Sequence, residues 1–489
     1  MTTPMTPTAA RPLPLRAPTP ARRLLAAGVV VAAFLLTRGV AQAVTPFIRQ
    51  DDWPFLLPPD TSGVLPTTYY NVSEGRWLNW AWWAVVGQHG TPTTAALTYA
   101  VGYALLVLGM WRALRLSGLR TGPVVEALLG LALFASCVWV QLLYWPGTLT
   151  PSVLMAAVAM WLLPWAGRSS VRLGLWLIVG EVSAVLTYPP IGAVLLVFAV
   201  VYLREAPWRR LLLCGATWLG AFALGVGVAY TLNWFNYGQF GLQLAKWRRP
   251  NPLTSLDALA VNAERWFEAA GTLWAAQWWT LLVGFVGIAL GWGDATVRPR
   301  LQRLLLAFVL AYGLDAAQTL ATGVVTEARG QLWTWLLAVL PVALLLIERH
   351  DVDPVSGARR RHHVHRIATV LLTVLAVGGV VTWRADIGAH QATRMQYASI
   401  AEAATAHAPG TDAPRIVVYQ DPSVRETREG RIMASTLFMA VRQELGGVLP
   451  GWCRGWQCGE LAARAGSESV IRLANDVVGI VVPAPPDWL

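Results

Sequence analysis

Apolar runs of about 20 residues recur along this chain and alternate with short polar loops, which is the pattern of helices that cross a bilayer. The first run covers 24–48, and the tail before it, 1–23, is rich in Pro, Thr, Ala and Arg. That composition predicts a disordered cytoplasmic tail. Later runs bring the total to about eleven transmembrane helices, at 94–111, 123–145, 149–166, 173–187, 189–203, 211–233, 273–292, 304–323, 332–347 and 367–383.

Two of these boundaries involve a choice. The first run also resembles a secretory signal peptide, because basic residues precede it and Ala41-Gln42-Ala43 could be cleaved. We favour its retention as a helix because so many apolar runs follow. The split between 173–187 and 189–203 depends on Pro189 and Pro190, since proline removes an N–H donor and breaks a helix.

Arginine is concentrated in alternate loops of this pattern. The predicted loops 112–122, 167–172, 204–210, 293–303 and 348–366 are all basic, and short basic loops face the cytoplasm in membrane proteins. The N-terminus is therefore predicted to be cytoplasmic, and an odd number of spans leaves the C-terminus outside. Of the 38 Lys and Arg residues only Lys246 is lysine, a bias that we attribute to a GC-rich bacterial genome. We expect a multi-pass protein of a bacterial inner membrane.

Two of the outside loops, 49–93 and 234–272, are long enough to hold structure of their own. The first contains the tryptophan-rich stretch 74–83, and the second contains Thr254-Ser255-Leu256-Asp257 ahead of a helical apolar pattern. A Ser or Thr three residues before an acid is typical of a helix N-terminus. Both stretches are predicted to be helices that lie on the membrane surface.

The segment 384–489 has the composition of an ordinary soluble domain. Buried strands are predicted at 415–420 and 477–482, and helices at 400–407 and 433–445. We therefore divide the chain into the tail 1–23, a membrane module 24–383 and a small extracytoplasmic α/β domain. Cys453 and Cys458 lie in that domain, where an oxidising compartment favours a disulfide over a zinc site.

Composition excludes several classes of protein. The chain of 489 residues is 55% hydrophobic and 13% charged, with a mean hydropathy of +0.47, a balance that no soluble protein of this size tolerates. Its net charge of +11 resides mainly in the short loops, so it orients the chain in the bilayer and does not indicate nucleic acid. The 26 tryptophans suit aromatic belts at two interfaces, and aromatic faces also suit sugar rings.

Asp51 and Asp52 follow the first span directly and are the leading candidates for catalysis. In a non-catalytic interpretation, the pair only begins a solvated turn, where aspartate is common. Trp53-Pro54-Phe55 favours the functional interpretation, because these apolar residues would hold the carboxylates against the membrane surface. Partial desolvation there raises the pKa of a carboxylate and makes it a better base. One aspartate could accept a hydroxyl proton while the other orients a sugar or binds a divalent cation.

Cations in the outside loops violate the positive-inside pattern and could stabilise a phosphate leaving group. The basic segment 246–249, which contains Lys246, Arg248 and Arg249, could instead contact lipid headgroups. No P-loop, dinucleotide fingerprint, zinc-protease motif or nucleophile elbow is present, which fits an enzyme whose sugar donor is a lipid phosphate. The candidate phosphate-binding residues are Arg76, Lys246, Arg248, Arg249 and Arg329, with Arg49 and Arg265 as further outside cations.

Three acidic residues fall inside the predicted spans. Glu126 lies near a cytoplasmic end, from which it could reach water, whereas Glu181 and Asp315 lie deeper. Intramembrane carboxylates are costly and are often functional. The two deeper acids could therefore relay protons in a transporter, or they could pack between helices, satisfied by neighbouring polar side chains.

Two motifs give the chain a family resemblance. Arg49-Gln50-Asp51-Asp52-Trp53, followed by Glu74-Gly75-Arg76-Trp77-Leu78, resembles the glucosyltransferase type II Gtr family, and the layout resembles membrane glycosyltransferases of the GT-C fold. The likeness covers roughly residues 24 to 90.

The resemblance implies transfer of a hexose, glucose above all, from a polyprenyl-phosphate donor to a surface glycan such as O-antigen, on the outer face of the inner membrane. It also implies acceptor activation, and metal contact if a metal takes part, by Asp51 and Asp52. For Arg76 it implies contact with the donor phosphate or a structural role.

Two other functions remain open. A transporter or flippase for lipid-linked glycans would use ionisable groups at mid-membrane and broken helices, for which Glu181, Asp315 and the Pro189-Pro190 break are the support. A membrane scaffold would only present the outside domain. All three readings place the chain in a lipid bilayer.

Overall fold

The computed structural model of the protein describes residues 20–485 except 57–66, 88–90, 120, 204–205, 348–357, 408–414, 445–449, 467 and 475–476. Most of the predicted tail, together with Arg120 and Arg204 of the basic loops, therefore lies outside the described residues. The chain is mostly helical (77%), with one small mixed sheet.

The described helices are named in chain order. The first nine are α1 Pro20–Leu36, α2 Gly39–Val44, α3 Thr68–Glu74, α4 Trp77–Val86, α5 Pro92–Leu116, α6 Pro123–Phe134, α7 Pro146–Ala166, α8 Ser170–Val185 and α9 Pro190–Tyr202. The others are α10 Trp208–Tyr237, α11 Leu256–Ala276, α12 Trp278–Trp292, α13 Arg298–Thr322, α14 Trp333–Leu345, α15 Ala358–Ala406, α16 Pro422–Arg425, α17 Arg428–Glu444 and α18 Trp456–Arg464. Short 3-10 turns cover Gln50–Phe55, Trp139–Tyr144, Lys246–Arg248 and Ala328–Gly330.

Five of these helices are long and apolar enough to cross a membrane: α5, α7, α10, α13 and the 362–406 part of α15. A sixth span results if α11 and α12, which meet at 85°, are counted together. Helices α6, α9 and α14 are apolar but shorter. The chain is thus a polytopic, membrane-type helical protein, while the count of about eleven spans and the GT-C architecture remain predictions.

Two predicted spans are broken in the structure. The run 24–48 divides into α1 and α2 at Arg38, whose φ of 62° is left-handed, next to Thr37, whose hydroxyl bonds back to the Ala33 carbonyl at 2.6 Å. The run 123–145 leaves the helix after Phe134, where the Ser136 hydroxyl accepts a hydrogen bond from the backbone N–H of Trp139. Such side-chain bonds offer the backbone an alternative to the helical ladder.

The loops predicted to face the cytoplasm meet at one end of the helix bundle. A bridge joins Leu119 to Ile347, the last residue before the loop 348–366, and the Arg303 guanidinium lies over the ring of Trp208. Arg115 pairs with Glu126 at 2.5 Å and Arg22 lies 3.6 Å from the same carboxylate. Glu126 is only 2% exposed, so it is held by arginines rather than by water, which corrects the expectation drawn from its position in the chain. This end of the bundle is called the Glu126 end.

The C-terminal part contains a four-stranded sheet in the order β2-β1-β4-β3, formed by Arg415–Tyr419 (β1), Gly451–Trp452 (β2), Val470–Arg472 (β3) and Val477–Val481 (β4). Strand β1 runs parallel to β2 and β4, and β3 runs antiparallel to β4. The predicted strands and the helix near 433–445 correspond to β1, β4 and α17. However, α15 continues from the membrane module through the predicted boundary at 384 to Ala406, so the two parts share a helix.

Both predicted surface segments are helical. In α4 the Trp77 and Trp83 side chains are buried whereas Trp80 is 38% exposed. Helix α11 begins one residue later than the capping pattern suggests: Ser255, not Thr254, is the N-cap, and its hydroxyl accepts a hydrogen bond from the Ala258 N–H at 3.1 Å. The sharp angle between α11 and α12 is consistent with a helix that lies along the surface before the chain turns into the bundle.

Candidate functional site

Asp52 is built into the start of α7. Its side chain is fully buried, and its two oxygens accept hydrogen bonds from the backbone N–H groups of Gly147 at 2.7 Å and Thr148 at 2.5 Å. The first N–H groups of a helix lack partners within the helix, and a carboxylate there also interacts favourably with the helix dipole. Asp52 therefore caps α7 from a distant part of the chain.

Burial shifts the protonation equilibrium of Asp52 toward the neutral acid. It raises the pKa of this carboxyl to about 7, while the hydrogen bonds from Thr148 and Gly147 act in the opposite direction. Gly147 allows the close approach of Asp52, because a Cβ there would lie 3.0 Å from the Asp52 carboxylate and 3.1 Å from Phe55, which is a tight contact. A carboxylate enclosed in this way is not open to an acceptor hydroxyl.

Asp51 has a different environment, although it is the next residue. Its side chain is half-buried, and one carboxylate oxygen accepts a hydrogen bond from the indole N–H of Trp145. The guanidinium carbons of Arg49 and Arg329 lie 5.3 Å and 4.2 Å from the centroid of the same Trp145 ring. Asp51 thus remains accessible beside two cations that share one aromatic platform.

Arg49 is half-buried beside Asp51. Burial and the nearby Arg329 lower its pKa to about 10, while Asp51 raises it. Arg49 therefore stays protonated at neutral pH, and its backbone N–H donates to the Tyr144 carbonyl at 3.0 Å. This bond ties the Asp51 turn to the end of the 3-10 turn that precedes α7.

Glu74 brings two further arginines together. It forms ion pairs with Arg76 and with Arg248, which lies in a loop more than 170 residues away. The chain reverses between Glu74 and Arg76 at Gly75, whose φ of 70° favours glycine. Burial raises the pKa of Glu74, but Arg76 and Arg248 lower it by more, so the net shift is downward. Two guanidinium groups around one carboxylate leave a local charge of +1.

The candidate site is hereafter called the Asp51 cluster, defined by Arg49, Asp51, Glu74, Arg76, Trp145, Arg248 and Arg329. Arg329 joins it from the loop after α13, paired with Glu327 at 2.7 Å. Lys246 and Arg249 do not join it: both are exposed, although they flank Arg248. A 3-10 turn has three residues per turn and directs neighbouring side chains about 120° apart, so one of these three cations faces Glu74.

Buried polar groups without hydrogen-bond partners surround the Asp51 cluster. They belong to residues adjacent to cluster members in the chain or on the same short helix. Of the described residues, those near cluster members with such an atom include Gln50, Trp53, Asn71, Asn79, Trp82, Gln331 and Trp333. Buried polar groups are normally paired, and an unmade bond costs roughly 1–3 kcal/mol each. Their concentration here favours a site that binds a hydroxyl-rich molecule.

Asp386 and Tyr144 are site residues that the sequence did not indicate. The Tyr144 hydroxyl donates to an Asp386 oxygen at 2.5 Å, and the His390 ring stacks on the Tyr144 ring with centroids 3.6 Å apart. Gln391, on the same helix α15, donates to the Gln42 side chain at 3.1 Å and to the Thr45 carbonyl at 2.9 Å. A polar stripe along α15 just past the predicted span could have drawn attention to them.

The described residues contain no group of three or more His, Cys, Asp or Glu side chains placed to hold a metal ion. Asp52 is buried and both its oxygens are bonded to backbone N–H groups, so of the two aspartates Asp51 is the one placed to contribute a carboxylate to a divalent cation. Cys453 and Cys458 form a disulfide in the C-terminal part.

The hydrogen-bond partners of the two deeper intramembrane acids are residues outside the Asp51 cluster. Asp315 accepts a hydrogen bond from the Trp266 indole at 2.9 Å and packs between α11 and α13, as expected for a helix-packing acid. Glu181 is 1% exposed and lies directly against Gly192 of the next helix. The two carboxylates share no hydrogen-bond partner.

Comparison with known proteins identifies no relative of this chain. No protein-family model, curated protein or solved structure is significantly similar to this chain.

Proposed function

We propose that this chain is a glycosyltransferase that moves a hexose, glucose above all, from a polyprenyl-phosphate donor to a cell-surface glycan on the outer face of the inner membrane. The observation that carries the proposal is the placement of one accessible carboxylate, Asp51, beside Arg49 and Arg329 on a single tryptophan platform. Helix α7, a candidate span, begins beside Asp52 and ends at Ala166, next to the basic loop 167–172, so Asp51 lies opposite the Glu126 end of the bundle.

Asp51 is the proposed general base. It takes the proton from an acceptor hydroxyl, and the hydroxyl oxygen then forms a bond to the anomeric carbon of the donor sugar. The bond from that carbon to the phosphate oxygen breaks, and polyprenyl phosphate leaves with the electron pair. The indole N–H of Trp145 holds the Asp51 carboxylate in one orientation, which reduces the cost of bringing the reactants into line.

The arginines are proposed to stabilise the leaving phosphate. A guanidinium has five N–H donors, so Arg76 keeps donors available after pairing with Glu74, and Arg248 adds a second positive charge at the same carboxylate. Glu74 therefore acts as a positioning residue that holds two cations close together despite their repulsion. Fixed charges in a site that excludes water are worth more than charges in bulk water, and the Arg76 and Arg248 side chains are only 16% and 26% exposed.

The test is sugar transfer by purified protein in proteoliposomes that contain a radiolabelled polyprenyl-phosphate hexose and the surface glycan of the producing strain. Asp51→Asn is expected to abolish transfer, and Arg329→Gln to reduce it strongly. Asp257→Asn is the matched control, because Asp257 is an exposed outside carboxylate in the first turn of α11. Normal transfer by the Asp51→Asn protein would exclude this function.

A transporter or flippase of lipid-linked glycans is the second candidate, favoured by the burial of Glu181 beside the broken segment at Pro189. Flux of a lipid-linked glycan across proteoliposomes distinguishes it. A Glu181→Gln protein that loses flux, together with an Asp51→Asn protein that retains it, would support transport over transfer.

A further inference from the structure

A cleft separates the turn that carries Asp51 from the C-terminal part of the chain. It has a volume of about 60 Å³ and is lined by residues that include Phe47, Trp53, Thr93, Arg394, Tyr397 and Thr436. A single water needs roughly 10–15 Å³, so the cleft has room for several waters or for one edge of a sugar ring whose remainder projects from the mouth.

Two of its polar side chains, Trp53 and Arg394, carry donors that lack acceptors among the described residues. Trp53 is 4% exposed, and its indole N–H is buried without a hydrogen-bond partner. Arg394 is half-buried and forms no ion pair with any residue in the described part of the chain. An unpaired guanidinium held in a cleft is well suited to a carboxylate, which matches its planar fork.

The remaining lining suits a saccharide. The hydroxyls of Thr93 and Thr436 already donate to the carbonyls of Val44 and Ile432, which leaves their lone pairs free to accept from sugar hydroxyls. Phe47, Trp53 and Tyr397 provide apolar aromatic surface. Apolar walls with a few placed polar groups are typical of small-molecule sites.

Two elements connect the cleft with the surroundings of Asp51: the 3-10 turn 50–55 and helix α15. Trp53 lies two residues beyond Asp51 on the same 3-10 turn. On α15, Asp386, His390, Arg394 and Tyr397 are spaced by four, four and three residues, so they follow one face of the helix. On that face, Asp386 accepts the hydrogen bond from Tyr144, and Arg394 lines the cleft.

We propose that this cleft binds an acidic residue of the acceptor saccharide, with its carboxylate on Arg394 and its hydroxyls on Trp53, Thr93 and Thr436. The assignment to the acceptor rests on the proposed glycosyltransferase function. The cleft would hold a part of the polymer that does not react, so that a neighbouring sugar is presented on the other side of the turn, at Asp51.

Binding is tested by calorimetry on the full-length protein in detergent, with trigalacturonate as the acidic probe and maltotriose as the neutral probe of equal length. Trigalacturonate is expected to bind at least ~10-fold more tightly than maltotriose. Arg394→Gln should weaken trigalacturonate binding by about tenfold or more. Trp53→Phe, which removes the N–H and keeps an aromatic ring, should weaken it severalfold. Arg415→Gln removes the same charge from an exposed site at the start of β1 and should leave it unchanged.

Four results would overturn the proposal: no binding of trigalacturonate, unchanged binding by Arg394→Gln, equal binding of maltotriose, or displacement of trigalacturonate by phosphatidylglycerol micelles. The last of these would assign the cleft to a lipid headgroup. Asp51→Asn is expected to bind trigalacturonate like the unmodified protein. Failure of the proposed catalytic role would appear as sugar transfer by that variant, and it is therefore distinguishable from failure of the cleft.

Discussion

Asp51 and Asp52 should respond differently to the same substitution. In Asp52→Asn the amide oxygen can keep one of the backbone bonds from Gly147 and Thr148, but the amide nitrogen then faces the other N–H. The lost charge-assisted bond is worth about 1.5–3 kcal/mol, and the orphaned N–H costs about 1–3 kcal/mol. Removing a buried charge offsets part of this, so we expect a net loss of about 2–4 kcal/mol.

Asp51→Asn should change stability much less. The Asp51 side chain is half-buried, and an amide oxygen can still accept the hydrogen bond from Trp145. The neutral amide cannot accept a proton, however, and loss of a general base reduces a rate by about 10² to 10⁴. The expected pattern is therefore a stable but inactive Asp51→Asn protein and an unstable Asp52→Asn protein whose folded fraction retains transfer.

The assay measures Tm by intrinsic fluorescence in detergent and the transfer rate per folded molecule on the same preparations. Asp52→Asn should lower Tm by several degrees, whereas Asp51→Asn and the control Asp257→Asn should not. Loss of transfer by Asp52→Asn at an unchanged Tm would refute the division of roles, because it would mean that the buried carboxylate takes part in the chemistry.

Three further predictions concern the surroundings of Asp51. Trp145→Phe keeps a ring for the two guanidinium groups and removes the N–H, so kcat should fall about tenfold with little change in KM; a rise in KM alone would count against this orientation of Asp51. For Glu74, a folded-state pKa below the usual 4.5 means that its contribution to stability is present above that pH and is lost as pH falls through the folded value. The Tm advantage of the unmodified protein over Glu74→Gln should therefore shrink below pH 4.5, and an advantage that grew on acidification would contradict the sign. Met439→Asp places a charge against the apolar cluster of Ile48, Trp53, Leu56 and Ala95, so both Tm and transfer should fall, while the conservative Met439→Leu should keep both.

The convergence of cations could be anticipated because it follows from topology. Loops that alternate with basic loops must lie on the same side of the membrane, and Arg76, Arg248 and Arg329 do meet around Glu74 and Trp145. The same argument could not separate Arg248 from its neighbours. Which cation of 246–249 faces inward depends on the phase of a 3-10 turn, and the sequence pattern does not specify that phase.

The difference between Asp51 and Asp52 could not be predicted from the sequence, for another reason. The two side chains are chemically identical and adjacent, and the partners that distinguish them lie about 95 residues away, at the start of α7. Helix breaks posed a similar problem. Apolar composition continues through Arg38 and Ser136, where the hydroxyls of Thr37 and Ser136 bond to the backbone and end the helical ladder.

The shared helix α15 changes how the alternatives can be separated. Deleting 390–489 would seem to distinguish an enzyme from a scaffold, since an enzyme could survive the loss of an appended domain. In the structure, however, Gln391 bonds to the segment just before Asp51. Helix α17 packs against the turn itself, and its Met439 packs against the apolar cluster that includes Trp53. The deletion would remove these supports and expose apolar surface, so it would inactivate an enzyme as well as a scaffold. The point substitution Asp51→Asn leaves both supports in place, and for that reason it can separate catalysis from presentation.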